Sequence, residues 1–258
     1  MTAPTFLDGP AGRKLAYSRL AGVGDGQALP GVVFLGGFAS DMTGTKALWL
    51  EDWARARGRA YLRFDYSGHG ASSERFEDGA ISDWAADAEA ALIALTEGPQ
   101  ILVGSSMGGW IALLLAKRCP ERVAGLVGIA AAPDFTERMA AEATPEARAV
   151  LEREGRIEHP SDYGAPLVIT RRLIEDGRAN RVLTAPLSLG FPVRLLHGTE
   201  DADVPIETAL SLLAHMECQD ARLTLVKGAD HRFSEPANLT LLGKTIHGIS
   251  HPGEDTRA

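Results

Sequence analysis

Gln100-Ile101-Leu102-Val103-Gly104-Ser105-Ser106-Met107-Gly108-Gly109-Trp110 is the stretch on which the reading of this chain turns. An aliphatic run ends in Gly-x-Ser-x-Gly, and an apolar helical pattern begins at once. In a nucleophile elbow, a strand bends sharply into a helix and lifts one serine above the sheet edge. There Ser106 takes a strained backbone conformation with φ above zero. Gly104 and Gly108 lack a Cβ, so strand and helix can approach closely at the bend. The N–H groups that open the following helix point toward the serine, and the helix dipole favours an anion there. A reaction that builds negative charge on a carbonyl oxygen needs all of these at one place. Gly-x-Ser-x-Gly alone is a weak signal, because glycine and serine are common. The strand before it, the helix after it and the partners found later in the chain make it specific.

Working outward, Gly9-Pro10-Ala11-Gly12 signals a turn, and residues 13–20 alternate as an edge strand of a hairpin. Val32-Val33-Phe34-Leu35 is a continuous apolar run of the kind found in buried parallel strands. Residues 45–57 read as a helix, residues 60–64 as a strand, and Ile81, Trp84, Ala85, Ala88, Ala91, Leu92 and Leu95 as the apolar stripe of a second helix. After the elbow come a helix over 107–118 and a strand over 123–129. Such alternation predicts an α/β fold, a mostly parallel, doubly wound sheet with helices on both faces. From Pro133 to about Pro186 charge density rises and no buried strand is evident. Helices are expected there, for instance over 144–154 and 165–175. An unstructured connection of about fifty residues is rare, so residues 133–186 read as a helical cap inserted between core segments 1–132 and 187–258. The core resumes with a strand near 193–197, a helix over 206–216, a strand over 223–226 and a last helix over 236–249. The final residues, 251–258, read as frayed.

A serine hydroxyl is a poor nucleophile until a base takes its proton, and the base needs a third group to orient it. After an elbow of this kind the partners follow in the order acid, then histidine. His215 sits in a helical pattern, and His247 and His251 fall at the C-terminal end. His231 follows the 223–226 strand in the loop Lys227-Gly228-Ala229-Asp230-His231-Arg232, so it is the expected base. The acid lies in His197-Gly198-Thr199-Glu200-Asp201-Ala202-Asp203-Val204-Pro205. Glu200, Asp201 and Asp203 all follow the strand; the pattern His-Gly-x-x-Asp before Val-Pro favours Asp201, leaving Asp203 as a turn or N-cap residue. Main-chain N–H groups of Met107 and of Phe38, in the loop after the 32–35 strand, are the expected oxyanion donors. Plainer readings suit the rest. Asp65 braces a loop, His69 is structural at a turn, and His197 supports the acid loop. Trp110 is either core or pocket wall. Arg171 and Arg172 either grip an anionic substrate tail or, the favoured reading, form a solvated helix face.

The whole chain sets bounds on function. Its 258 residues suffice for one large domain, with 45% hydrophobic and 23% charged residues. A net charge of −8 argues against nucleic acid or an anionic membrane surface as the partner. Cys119 and Cys218 have no metal-like spacing and read as reduced. No secretory signal opens the sequence, and no apolar run approaches the ~20 residues that span a bilayer. The expectation is a cytoplasmic protein with no metal and no cofactor. Its oligomeric state is not legible.

Several words of the sequence go beyond the elbow. Gly44-Thr45-Lys46-Ala47-Leu48, Arg63-Phe64-Asp65-Tyr66-Ser67-Gly68, Gly98-Pro99-Gln100-Ile101, Gly108-Gly109-Trp110, Arg194-Leu195-Leu196-His197-Gly198 and Asp230-His231-Arg232 together resemble one group of α/β-hydrolase superfamily serine hydrolases. These are the animal palmitoyl-protein thioesterases, also known as mycophenolic acid acyl-glucuronide esterases. The resemblance spans about residues 32–232 and is weakest across the cap. It implies the α/β-hydrolase fold and Ser106, Asp201 and His231 as a triad. It also implies hydrolysis of an activated acyl bond, with a small acyl ester or thioester, or an acylated protein, as substrate. The animal enzymes carry a mitochondrial presequence that is missing here, so their location does not transfer. Competing readings are carbon–carbon bond hydrolysis, a cofactor-free haloperoxidase-like activity, or a non-catalytic ligand receptor. An aspartate-nucleophile dehalogenase is disfavoured by the serine at position 106.

Overall fold

The computed structural model describes residues 5–159 and 166–251. The first four residues, the start of the helix expected from Ala165, and residues 252–258 of the expected frayed end lie outside them. The chain opens with β1 (Thr5–Asp8), β2 (Lys14–Leu20) and β3 (Val32–Leu35), followed by α1 (Thr45–Arg55), β4 (Tyr61–Phe64) and α2 (Ile81–Leu95). Next come β5 (Gln100–Ser105), α3 (Met107–Arg118) and β6 (Val123–Ile129). After these stand α4 (Phe135–Glu142), α5 (Pro145–Glu154), β7 (Arg156–His159), β8 (Leu167–Thr170) and α6 (Arg171–Ala179). The chain then forms β9 (Leu187–Ser188), β10 (Val193–Gly198), α7 (Ile206–His215), β11 (Met216–Glu217), β12 (Ala221–Val226) and α8 (Pro236–Ser250).

Eight strands make one sheet in the order β1-β2-β4-β3-β5-β6-β10-β12. From β4 to β12 every pairing is parallel, whereas β1 and β2 run antiparallel. The fully buried strands β3 and β5 lie at its centre, both faces covered, as the apolar runs Val32–Leu35 and Ile101–Val103 require. Alternation divides their side chains. Val33 and Leu35 join Trp84, Leu92 and Ile111 of α2 and α3 on one face, while Val32 and Phe34 meet Leu50, Trp53, Leu242 and Ile246 of α1 and α8 on the other. The stripe on α2 is buried as expected, from Ile81 through Leu95. The leucine and isoleucine side chains of this stripe each contribute about 1.5–3 kcal/mol when taken out of water.

Two expectations need correction. The strand over 13–20 is not an edge: β2 pairs with both β1 and β4, and the short β1 forms the border. The expected helix over 165–175 is instead a strand and then a helix. Leu167-Val168-Ile169-Thr170 is a β-branched run that pairs antiparallel with β7, and Ile169 is buried. Thr170 ends that strand and caps α6, its hydroxyl accepting the Leu173 N–H at 3.1 Å. A buried strand residue therefore does occur in the stretch read as purely helical.

The elbow is as tight as its glycines imply. A Cβ on Gly104 would lie 2.6 Å from the Gly109 nitrogen, and one on Gly108 would lie 2.6 Å from the Gly36 carbonyl oxygen. The start of α3 thus rests directly on the end of β3. Gly108→Ala must separate these backbones, which is expected to lower unfolding stability by about 1–3 kcal/mol. Urea titration checks this: the midpoint should fall at constant slope, and an unmoved midpoint contradicts the packing described.

Candidate active site

Register sets the ends of the central strands on one border. Leu35 pairs with Gly104, Ser105 with Ile129, and Gly198 with Val226. Phe38, Ser106, Asp201 and His231 follow these ends within a few residues, so a single sheet edge gathers them. Ser106 stands at φ 53° and ψ −117°, the strained turn expected of it. Its amide donates to the Ile129 carbonyl (2.9 Å), and its own carbonyl accepts the N–H groups of Gly109 (2.9 Å) and Ala132 (3.1 Å). Over-determination of this kind is what holds a non-glycine residue at positive φ.

Among the three acidic candidates, geometry separates them. His231 Nδ1 lies 2.9 Å and 3.0 Å from the two carboxylate oxygens of Asp201. Asp201 also accepts the N–H groups of Asp203 (2.9 Å) and Val204 (2.8 Å). Its side chain is almost fully buried. Burial pushes this carboxyl upward, but the bond to His231 and the two amides outweigh it and hold it below the usual carboxylate range. Asp203 is nearly half exposed, and its carboxylate lies 4.0 Å from the other ring nitrogen, Nε2. His197 supports the acid loop as expected: its Nε2–H donates to the Val204 carbonyl at 3.0 Å and stands 3.6 Å from Asp201 Oδ2. Phe233, at φ 51°, anchors the His231 loop by donating its N–H to the Asp230 carboxylate and burying its ring completely.

Ser106, His231, Phe38 and Asp203 line one cleft of about 770 Å³, within the ~300–1,000 Å³ typical of small-molecule sites. Met107 lies buried behind it as the first residue of α3, so its N–H has no acceptor within the helix. One wall is apolar and comes largely from the segment after β6: Phe135, Met139 and Leu167. Thr45 and Lys46 of α1 and Arg232 also line the cleft. Sequence reasoning missed Lys46 and Arg138, which also lines the cleft. Nothing in a helix's opening turn announces that its lysine faces a distant loop. Lys46 donates to the Arg232 carbonyl. Burial pushes its ammonium down to about 8, against the pull of Asp230 and with the repulsion of Arg232. Asp201, Asp203 and His231 also offer closely grouped ligand atoms; the hydrogen bond between His231 and Asp201 accounts for two of the three.

The plainer readings hold for the remaining side chains. Asp65 braces two loops, accepting the N–H groups of Met42 (2.6 Å) and Ala71 (2.9 Å). Trp110 is fully buried, and its indole donates to the Asn180 carbonyl at the end of α6 (3.1 Å). Arg172 bonds the Asp78 carbonyl and the Asp83 carboxylate, both at 2.6 Å. Arg171 reaches the Glu152 carbonyl at 3.4 Å and Glu175 at 3.9 Å. Both guanidinium groups are thus engaged by the protein itself. Among the described residues, no helix is long and apolar enough to cross a membrane.

Comparison with known proteins agrees with this architecture. Residues 32–239 match the Alpha/beta hydrolase family. The chain is 38% identical to the mitochondrial palmitoyl-protein thioesterase ABHD10 of Bos taurus over 250 residues, 96% of this chain and 80% of the bovine protein. Against the Homo sapiens protein of the same name the figure is 36% over the same shares. The solved structure of a putative hydrolase from Agrobacterium vitis superposes with a TM-score of 0.91 at 42% identity, covering 97% of this chain and 99% of that one. Mouse alpha/beta hydrolase domain-containing protein 10 superposes with a TM-score of 0.86 at 35% identity, covering 96% and 98%. From its sheet, its elbow and these relatives alike, this chain belongs to the alpha/beta hydrolase family.

Proposed function

We propose that this protein is a serine hydrolase that cleaves carboxylic ester or thioester bonds through an acyl-Ser106 intermediate. The observation that carries the reading is the Asp201–His231 contact beside Ser106 in one cleft. Asp201 fixes His231 with Nδ1 protonated, so Nε2 is free to take the Ser106 proton. Ser106 Oγ then attacks the acyl carbon, and the oxygen that becomes negative is received by the N–H groups of Met107 and Phe38. His231 returns the proton to the departing thiol or alcohol. Water, deprotonated by the same ring, releases the acid and restores the serine.

Residues 133–186 act as a cap that supplies the apolar wall for the acyl group. Relatives named as palmitoyl-protein thioesterases support a long acyl chain and a thioester, and an acylated protein or a small acyl thioester both fit that chemistry. A cytoplasmic location belongs to the same proposal; the mammalian relatives are named as mitochondrial, and cell fractionation decides between the two.

The test is turnover of p-nitrophenyl esters and of matched acyl thioesters with acyl chains from two to sixteen carbons, beside Ser106→Ala. Phe135 and Met139 in the wall predict kcat/KM rising by at least tenfold from acetyl to medium or long chains, since each buried methylene contributes about 0.8 kcal/mol. Tight binding without turnover, or turnover that survives in Ser106→Ala, would overturn the proposal.

A further inference from the structure

His69 is buried, and it lies outside both the proposed triad and the lining of the cleft that holds Ser106 and His231. Both of its ring nitrogens are occupied. Nδ1 lies 3.1 Å from the Ser67 carbonyl oxygen, which can only accept, so Nδ1 carries the proton. Nε2 is then a bare acceptor, and it receives the Ala39 N–H at 3.3 Å. Burial pushes the imidazole down to about 4, with the Ser67 carbonyl pulling the other way, so the ring is neutral at working pH.

What this contact holds matters more than the contact alone. Ala39 stands at φ 55°, a left-handed conformation that a non-glycine residue keeps only when neighbours impose it. It directly follows Phe38, whose N–H is the proposed second oxyanion donor. The Phe38 ring packs on Phe76 (centroids 4.8 Å apart) and Trp84 (5.9 Å), and the His69 ring packs on the same two (5.1 and 5.2 Å). His69 is itself anchored: Trp84 Nε1 shares the Ser67 carbonyl at 3.1 Å, and the Asp87 carboxylate holds the Ser67 N–H and hydroxyl at 2.9 and 2.6 Å. One aromatic cluster thus fixes Phe38 by its ring while the imidazole fixes the next peptide by its nitrogen. With both ends pinned, the Phe38 N–H has little freedom to swing away from the cleft.

We propose that His69 is a positioning residue for the oxyanion loop, a neutral imidazole whose Nε2 holds Ala39 and thereby aims the Phe38 N–H at the developing oxyanion. The inference rests on the acyl-serine reading above. It adds a residue that touches neither substrate nor the reacting atoms.

Two substitutions separate its nitrogens. Glutamine at this position can present a carbonyl oxygen where Nε2 was, whereas asparagine reaches only the place of Nδ1. Losing an oxyanion donor outright costs about 10²–10³ in rate, and a misaimed one costs part of that. His69→Asn should therefore lower kcat by about 10–100-fold with KM within twofold. It should weaken a trifluoromethyl ketone transition-state analogue by the same factor. His69→Gln should recover at least fivefold of both. Thermal unfolding is followed in parallel, and the Asn-to-Gln comparison is made between folded variants. Equal kcat in the two variants, or a kcat loss that the analogue's affinity does not follow, would overturn the inference. The broader reading fails separately: wild-type protein without ester or thioester turnover sinks the acyl-serine mechanism, whereas an active wild type with indifferent His69 variants sinks only the role of His69.

Discussion

Ser106→Ala is expected to lower kcat on an acyl ester or thioester by about 10⁵–10⁶-fold, the scale seen when the nucleophile of a serine hydrolase is removed. The expectation follows from the place of this one oxygen. The turn at φ 53° sets Ser106 at the rim of the cleft that His231 also lines, and the Ser106 main chain is fixed by bonds to Ile129, Gly109 and Ala132. Alanine keeps that backbone, because the bonds involve no side-chain atom. The fold should therefore persist, with a thermal midpoint within a few degrees of wild type, while turnover collapses. Substrate binding should survive, since the apolar wall is untouched. Steady-state release of thiol or nitrophenol, beside an unfolding scan, reads both halves. Loss of the fold together with activity would mean that the hydroxyl is structural.

The second large effect separates two neighbouring aspartates. Asp201→Asn is expected to lower kcat by about 10⁴-fold, and Asp203→Asn by less than about tenfold. An asparagine at 201 can still accept the N–H groups of Asp203 and Val204 through its carbonyl oxygen. Its NH₂ then faces His231 Nδ1. That nitrogen must accept instead of donate, which moves the ring proton to Nε2, the atom that takes the serine proton in the proposed mechanism. Asp203 sits 4.0 Å from Nε2 and is substantially exposed, so solvent screens its charge. pH works in the same direction. The Asp201 carboxyl is held below its ordinary value, so the stability it contributes is complete above the unfolded value of about 3.9. That contribution is lost only as pH falls below this through the lower folded value. Comparable losses in both asparagine variants would contradict the division of roles.

Much of this was legible in the sequence for identifiable physical reasons. Continuous apolar runs such as Val32–Leu35 and Ile101–Val103 have no place except a sheet covered on both faces, and the α2 stripe at helical spacing has only one face to bury. The elbow could be read because its glycines are forced by backbone contact. Position narrowed the acid only to one loop, within which the His-Gly-x-x-Asp pattern before Val-Pro favoured Asp201. Asp201 and Asp203 both follow β10 closely, and what separates them is which carboxylate lies within 3 Å of a ring thirty residues away. The hairpin of β7 and β8 escaped notice because Leu167–Thr170 is short and runs directly into a helix that Thr170 itself caps. The contact from Ala39 to His69 joins two loops whose sequences carry no shared signal. Such long-range contacts are set by tertiary packing, and only coordinates display them.

The most direct test of the account is mass spectrometry of the protein mixed with a fluorophosphonate or a slowly deacylated ester. The account predicts a single adduct on the peptide that contains Ser106, formed in proportion to lost activity and absent from Ser106→Ala. Complete inhibition with the adduct on any other residue, or undiminished turnover by protein fully modified at Ser106, would contradict it.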